Sequence, residues 1–172
     1  MDGEYPDSTD GSRRSARAPL AAVRSDHACF GCGGENPIGL RLRFTADKGE
    51  VRAPFLPAAE HQGFEGVVHG GIISSVLDEA MAWATAAAGI WAVTAEMRVR
   101  FRRPLQVGEQ TRVQARVEEW RGRIVRVAAE LVRDADDATV ASATGTFVRV
   151  AAEVEADWRA RYLTAEATDH GR

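Results

Sequence analysis

The chain has 172 residues, of which 45% are hydrophobic, so its length and composition fit one globular domain. Its 22 lysine and arginine residues are outnumbered by 25 aspartate and glutamate residues, and the formal net charge is −3. This balance argues against nucleic acid as a partner, because no basic excess is available for a phosphate backbone. The sequence has neither an apolar run of membrane-spanning length nor a signal-peptide core. We therefore expect a cytoplasmic protein without a membrane partner.

The sequence divides into three segments. Residues 1–25 are rich in Asp, Ser, Gly and Arg and show no apolar periodicity, which predicts a disordered tail. Residues 26–152 carry the regular patterns of a folded domain, and residues 153–172 are expected to form a C-terminal helix and tail.

The first half of the domain predicts two strands and one long helix. Leu40 to Phe44 alternate apolar and basic residues, typical of a half-buried strand, and a second strand is expected over Glu50 to Phe55. From His69 the sequence HGGIISSVLDEAMAWATAAAG predicts about five helical turns ending at Gly89. This helix is apolar over most of its circumference, which favours a buried position.

Four alternating segments follow the helix and predict antiparallel strands. Short turns separate them and favour pairing between sequential neighbours. The elements together indicate an α+β fold in which a curved antiparallel sheet covers one long helix. A single copy would leave strand edges and apolar surface exposed, so we expect a homodimer or a dimer of dimers.

Two adjacent carboxylates lie in the middle of this apolar helix. Asp78 is open to two interpretations: a cap, hydrogen-bonding or solvent-facing role, or a general base or nucleophile activated by burial. Glu79 competes for the second role. It points about 100° away around the helix, so only one of the two can face a given substrate.

The start of the helix is a second candidate for chemistry. Gly70 and Gly71 either permit a tight entry turn or present free backbone N–H groups to a developing oxyanion. The spacing predicts that one helix supplies both this electrophile-activating terminus and, two turns further along, the carboxylate of Asp78. For His69 we favour a structural or orienting role over that of a base.

Other residues with chemical potential are less distinctive. The arginines of the strands are expected either to meet the phosphates of a nucleotide-like group or to form a solvated sheet face. Cys29 and Cys32 form a C-x-x-C pair near His27. With only these three neighbouring ligands we expect no stoichiometric zinc, and no metal or other cofactor is assigned.

Three blocks of sequence, in the same order, resemble hot-dog-fold acyl-CoA thioesterases of the PaaI-like, thioesterase-superfamily-member type. They are CFGCGGENPIGLRLRF, VVHGGIISSVLDEAMAWA with its H-G-G-x6-D-x-A spacing, and VTAEMRVRFRRPLQVGE. The similarity covers about residues 28–150.

The resemblance implies hydrolysis of an acyl-CoA at a site shared between two subunits. It places Asp78 as base or nucleophile, Gly70 as the N–H that polarises the thioester carbonyl, and Thr94 as a hydroxyl positioning the water or the carboxylate from the opposing subunit. With His69, these are the candidate catalytic residues. Where relatives often carry an Asn, this chain has Gly63, so either Gln62 substitutes for it or the contact is missing. The candidate substrate-binding residues are Gln62, Gly71, Ser74, Arg102 and Arg103.

Two other functions remain open at this point. A protein that binds acyl-CoA without turnover is compatible with the missing Asn. A hot-dog dehydratase or hydratase would need a histidine acting with an acidic residue. Thiol release from acyl-CoAs separates the hydrolase from both.

Overall fold

The computed structural model describes residues 24–163, which form a six-stranded antiparallel sheet and two helices. The strands are β1 (Thr45–Asp47), β2 (Glu50–Phe55), β3 (Ala92–Phe101), β4 (Thr111–Arg121), β5 (Ile124–Arg133) and β6 (Thr139–Arg149). The α-helices are α1 (Gly70–Ala87) and α2 (Ala152–Tyr162), and Ala59–His61 form a short 3-10 helix. The tail predicted for residues 1–25 lies, up to residue 23, outside the described part of the chain, and so do residues 164–172.

The sheet order is β1-β2-β4-β5-β6-β3, and α1 packs mainly against β4 and β5. The curved sheet around one helix confirms the predicted α+β arrangement. No helix within residues 24–163 is both long enough and apolar enough to cross a membrane. The cytoplasmic location and the domain limits at residues 26 and 152 stay predictions.

The core lies between α1 and the sheet. One face of α1 is buried, with members spaced three or four residues apart as helical periodicity requires: Ile73, Val76, Leu77, Ala80, Met81 and Ala84. The opposite side of α1 is only partly covered by the described chain, so the expectation of a helix buried all round is wrong for a single copy.

Two local expectations are corrected. Residues 40–44 do not form a strand, although Leu42 and Phe44 are buried and the intervening arginines are exposed. Arg41 has a positive φ of 53°, and the N–H groups of Leu40 and Leu42 donate to Phe30 and Gly31 in the preceding loop. The alternation over residues 40–44 therefore reflects the burial of every second side chain and not a strand. The regular strand begins only at Thr45.

The position of β3 also differs from expectation. Sequential pairing holds from β4 to β6, but β3 pairs with β6 at the far edge, and β2 takes the place beside β4. As an edge strand, β3 has one row of backbone groups with no neighbouring strand in the described chain. Two of its apolar side chains are notably open, Val93 at 46% exposure and Phe101 at 52%.

Helix α2 closes one end of the domain through aromatic contacts. Trp158 and Tyr162 both pack against Trp91, with ring centroids 6.2 and 6.5 Å apart, and Tyr162 also meets the edge of His27. The N–H of Arg24 donates to the carbonyl of Tyr162 at 2.8 Å. These contacts tie both ends of the described chain to the start of β3.

Candidate active site

The carboxylate of Asp78 lies on the partly covered side of α1, where Thr94 holds it. The Thr94 hydroxyl donates to Asp78 Oδ1 at 2.7 Å, so a residue of the edge strand β3 orients the middle of the helix. Asp78 is half-buried in the single chain, and the deep burial assumed from the helix pattern is not present there. The hydrogen bond that the resemblance distributes over two subunits is made here within one chain.

The N-terminus of α1 is capped by His69. Its Nδ1 atom accepts from the N–H of Gly71 at 2.8 Å, which gives His69 a structural role and removes Gly71 from the candidate oxyanion donors. Within residues 24–163, no acceptor is found for the N–H of Gly70. Gly70 therefore presents a free donor at the positive end of the helix, beside the ring of Phe101.

Gly70 and Asp78 of one chain are too far apart to act on one thioester. They are separated by eight residues, and a rise of 1.5 Å per residue places them about 12 Å apart along the helix axis. An oxyanion donor and a base that serve the same carbonyl group must each come within about 3 Å of the reacting atoms. The expectation that one helix supplies both groups at a working distance is therefore wrong.

The polar residues around these two groups are mostly engaged locally. The Ser74 hydroxyl donates to the carbonyl of Gly70 at 2.9 Å, one turn earlier in the helix. Gln62 Oε1 accepts from the N–H of Gly66 at 3.2 Å, which leaves its amide NH₂ for another partner. At the position of the family Asn, a Cβ on Gly63 would lie 3.1 Å from the His69 ring, so a side chain there would crowd the helix cap.

The two candidate phosphate-binding arginines follow directly after β3. Arg102 and Arg103 are exposed, and Phe101 places them close to the Gly70 end of α1. One nitrogen of Arg103 donates to the carbonyl of Thr139 at 3.1 Å, so part of its guanidinium is already engaged.

Glu79 belongs to a separate cluster with the two cysteines. Cys29 Sγ lies 3.8 and 3.7 Å from the two carboxylate oxygens of Glu79, and Trp83 Nε1 donates to Oε1 at 3.0 Å. Burial raises the pKa of Glu79 to about 7. A hydrogen bond from Cys32, assisted by nearby backbone N–H groups, lowers the pKa of Cys29 to about 5, and the same hydrogen bond with burial raises the pKa of Cys32.

This cluster lines an apolar cavity of about 330 Å³ that does not include Asp78. Its walls are largely aromatic and come from α1, from the start of β3 and from α2: Trp83, Trp91, Trp158 and Tyr162 are the largest contributors. The two adjacent carboxylates thus face different surroundings, as their 100° separation predicts.

Sequence reasoning missed the contact between Glu79 and the cysteines. The expectation of no metal rested on His27, Cys29 and Cys32, whereas the grouped ligand atoms are those of Cys29, Cys32 and Glu79. The one sequence feature that relates to this contact is the glycine at position 31, between the two cysteines. A Cβ there would lie 2.3 Å from the Glu79 carboxyl group, so only glycine permits this approach.

Comparisons with known proteins agree with the fold and the helix motif. The thioesterase superfamily model matches residues 65–141, from the loop before α1 into β6. A crystal structure of a thioesterase superfamily protein aligns with a TM-score of 0.67 and 26% identity, over 73% of this chain and 61% of that one. This chain therefore spans less than two thirds of that neighbour's length.

Two further structures bear on the comparison. The Escherichia coli PaaI protein from the phenylacetic acid degradation operon aligns with a TM-score of 0.61 and 25% identity, over 65% of this chain and 81% of that one. A Streptococcus mutans UA159 protein bound to acetyl-CoA aligns with a TM-score of 0.60 and 19% identity, over 63% of this chain and 88% of that one, and has the same fold. No curated protein matches the sequence. The fold, the helix motif and these matches show that the chain has a hot-dog fold similar to that of PaaI-like proteins of the thioesterase superfamily.

Proposed function

We propose that this protein is an acyl-CoA thioesterase whose active sites are completed between two copies of the chain. The proposal depends on two groups of α1. Thr94 orients the carboxylate of Asp78, and the N–H of Gly70 is a free donor. Within one chain these two groups are too far apart to act on the same thioester. Each copy supplies both halves of the chemistry, but to different sites.

The edge strand β3 supports this arrangement. Thr94 lies near its start, whereas Phe101 at its end lies beside Gly70. If the β3 strands of two copies pair antiparallel about their midpoints, the start of one strand lies opposite the end of the other. This pairing brings Asp78 and Thr94 of one copy toward Gly70 of the partner. It also covers the open strand edge and the exposed Val93 and Phe101 side chains.

The reaction then follows from the groups present. The Gly70 N–H of one copy polarises the thioester carbonyl and stabilises the oxyanion of the tetrahedral intermediate. Asp78 of the other copy removes a proton from water as it attacks, or attacks the carbonyl carbon itself, with Thr94 fixing its direction. CoA takes up a proton and leaves as the thiol. In the general-base route the free acid forms directly, and in the nucleophilic route water hydrolyses the acyl anhydride on Asp78 to release it.

Coenzyme A is the first thiol carrier to test. Arg102 and Arg103 stand exposed at the Gly70 end, where guanidinium groups suit phosphate oxygens. The same fold has been solved with acetyl-CoA in the Streptococcus mutans protein. The acyl specificity is open, so the substrate panel should vary both chain length and aromaticity.

The experiment is a thiol-release assay on that acyl-CoA panel with wild-type protein and Asp78→Asn. Turnover by the wild type and its loss in the variant are expected. Acyl-CoA binding without thiol release from any substrate would replace this proposal with the non-catalytic binding protein. Addition of water to, or its loss from, the acyl chain would indicate a dehydratase or hydratase.

A further inference from the structure

The C-x-x-C loop meets Glu79 of α1 in a geometry suited to a metal ion. The ligand atoms of Cys29, Cys32 and Glu79 all lie within 4.8 Å of one another, and the sulfur of Cys29 is 3.7 Å from one Glu79 oxygen. In a tetrahedral zinc site with ordinary Zn–S and Zn–O bonds, neighbouring ligand atoms are about 3.6 to 3.8 Å apart. The side chains therefore stand close to the required separations.

The loop backbone holds the two cysteines in this position. The N–H of Gly33 donates to the carbonyl of Cys29 at 3.0 Å, and Leu40 and Leu42 donate to the carbonyls of Phe30 and Gly31 at 2.7 and 2.9 Å. The glycine at position 31 leaves room for the Glu79 carboxylate, since a Cβ there would lie 2.3 Å from it. The loop is thus shaped around this carboxylate.

Two outer hydrogen bonds orient the ligands. Trp83 Nε1 donates to Glu79 Oε1 at 3.0 Å, which fixes the carboxylate and leaves its lone pairs for a further partner. Arg43 Nη1 donates to the carbonyl of Cys32 at 2.6 Å, which helps to hold the backbone of that residue in place. Such outer contacts are the usual support of metal-binding side chains.

We propose that Cys29, Cys32 and Glu79 bind one Zn²⁺ ion. Two sulfur ligands select a soft or borderline cation over Mg²⁺ or Ca²⁺, which prefer oxygen alone. Binding displaces the thiol protons to solvent and joins the ion to two thiolates and one carboxylate. Three protein ligands leave a fourth position, and because all three line the aromatic cavity of about 330 Å³, that position faces it.

The consequence for the fold is a link between the loop at 29–33 and the helix that carries Asp78. Glu79 follows Asp78 directly, so zinc anchors the segment of α1 next to the proposed catalytic carboxylate. The site is separate from the proposed thioesterase chemistry, because the cavity lined by Cys29, Cys32 and Glu79 includes neither Asp78 nor Thr94.

The first test is the metal content of full-length protein purified under reducing conditions without chelator. We expect about one zinc per chain by elemental analysis. Metal-free protein should bind added Zn²⁺ in a calorimetric titration, and added Co²⁺ should produce thiolate-to-cobalt charge-transfer absorption. Reduced, folded protein that binds neither ion would overturn the proposal, as would a Cys29–Cys32 disulfide that persists after reductant is added.

Variants separate this proposal from the thioesterase. Cys29→Ser and Glu79→Gln should each weaken Zn²⁺ binding by at least about tenfold, whereas the matched neighbour Asp78→Asn should bind it as the wild type does. Circular dichroism checks folding, and Cys29→Ser carries the test if Glu79→Gln does not fold. If folded Glu79→Gln binds Zn²⁺ with unchanged affinity, the Glu79 carboxylate is not a ligand and the proposed three-ligand site is wrong. Two further results concern only the proposed thioesterase activity and leave the zinc proposal unchanged. They are loss of hydrolysis in zinc-loaded Asp78→Asn and absence of hydrolysis in the wild type.

Discussion

The hydroxyl of Thr94 donates a 2.7 Å hydrogen bond to Asp78, and this bond joins the edge strand β3 to the middle of α1. It fixes the direction of a half-buried carboxylate on the side of the helix that the described chain leaves partly open. The neighbouring Glu79 lines the aromatic cavity, which does not include Asp78, so the two acidic groups can be tested independently.

The first prediction compares these two carboxylates. Asp78→Asn keeps the side-chain volume and removes the charge, so kcat for acyl-CoA hydrolysis should fall by about a hundredfold or more while binding is retained. Glu79→Gln, assayed with Zn²⁺ present, should cost much less because its side chain points away from Thr94. Steady-state kinetics with one acyl-CoA measures both. The reverse order of effects would make Glu79 the base.

The second prediction concerns the hydroxyl of Thr94. Thr94→Val preserves the shape but leaves the carboxylate without its donor, and a hydrogen bond to a charged group is typically worth about 1.5 to 3 kcal/mol. We expect kcat to fall by about tenfold or more with a smaller change in KM. Thr94→Ser restores the donor and should recover most of the rate. Equal rates in the Val and Ser variants would show that the hydroxyl has no part in positioning.

The third prediction concerns assembly through β3. Val93→Asp places a charge on the exposed edge strand and should shift the protein toward monomer, with a parallel loss of hydrolysis. Leu56→Asp is the matched control, since Leu56 is 58% exposed but lies outside β3, and it should leave both properties unchanged. Light scattering at assay concentration gives the mass. A fully active monomer would contradict the shared site.

The fourth prediction concerns the N-terminal segment. Deletion of residues 1–23 should leave the Tm and the activity nearly unchanged, because that segment carries no periodic apolar surface. The boundary moves from residue 25 to residue 23 since Arg24 donates to Tyr162 and the carbonyl of Ser25 accepts from Gly34. Deletion through residue 25 should therefore lower the Tm measurably. A large fall in the shorter deletion would show that residues 1–23 contribute to the fold.

The sequence by itself determined the elements whose signals are local. The apolar spacing and the His69 start predict α1 almost to the residue, and the alternation predicts β3, β4, β5 and β6. The turn at residues 47–49 and Pro57 bound the predicted β2. The H-G-G-x6-D-x-A spacing singled out Asp78 and Gly70, since both sit on one element. These features can be predicted from one segment alone, because neighbouring side chains of one helix or strand have fixed directions relative to one another.

Only the tertiary structure decided which distant segments meet. It placed β3 beside β6 instead of β4, joined Thr94 to Asp78, and brought Cys29 to Glu79 across 50 positions of sequence. These contacts depend on how the sheet wraps α1, and no periodicity within one segment encodes the packing of another.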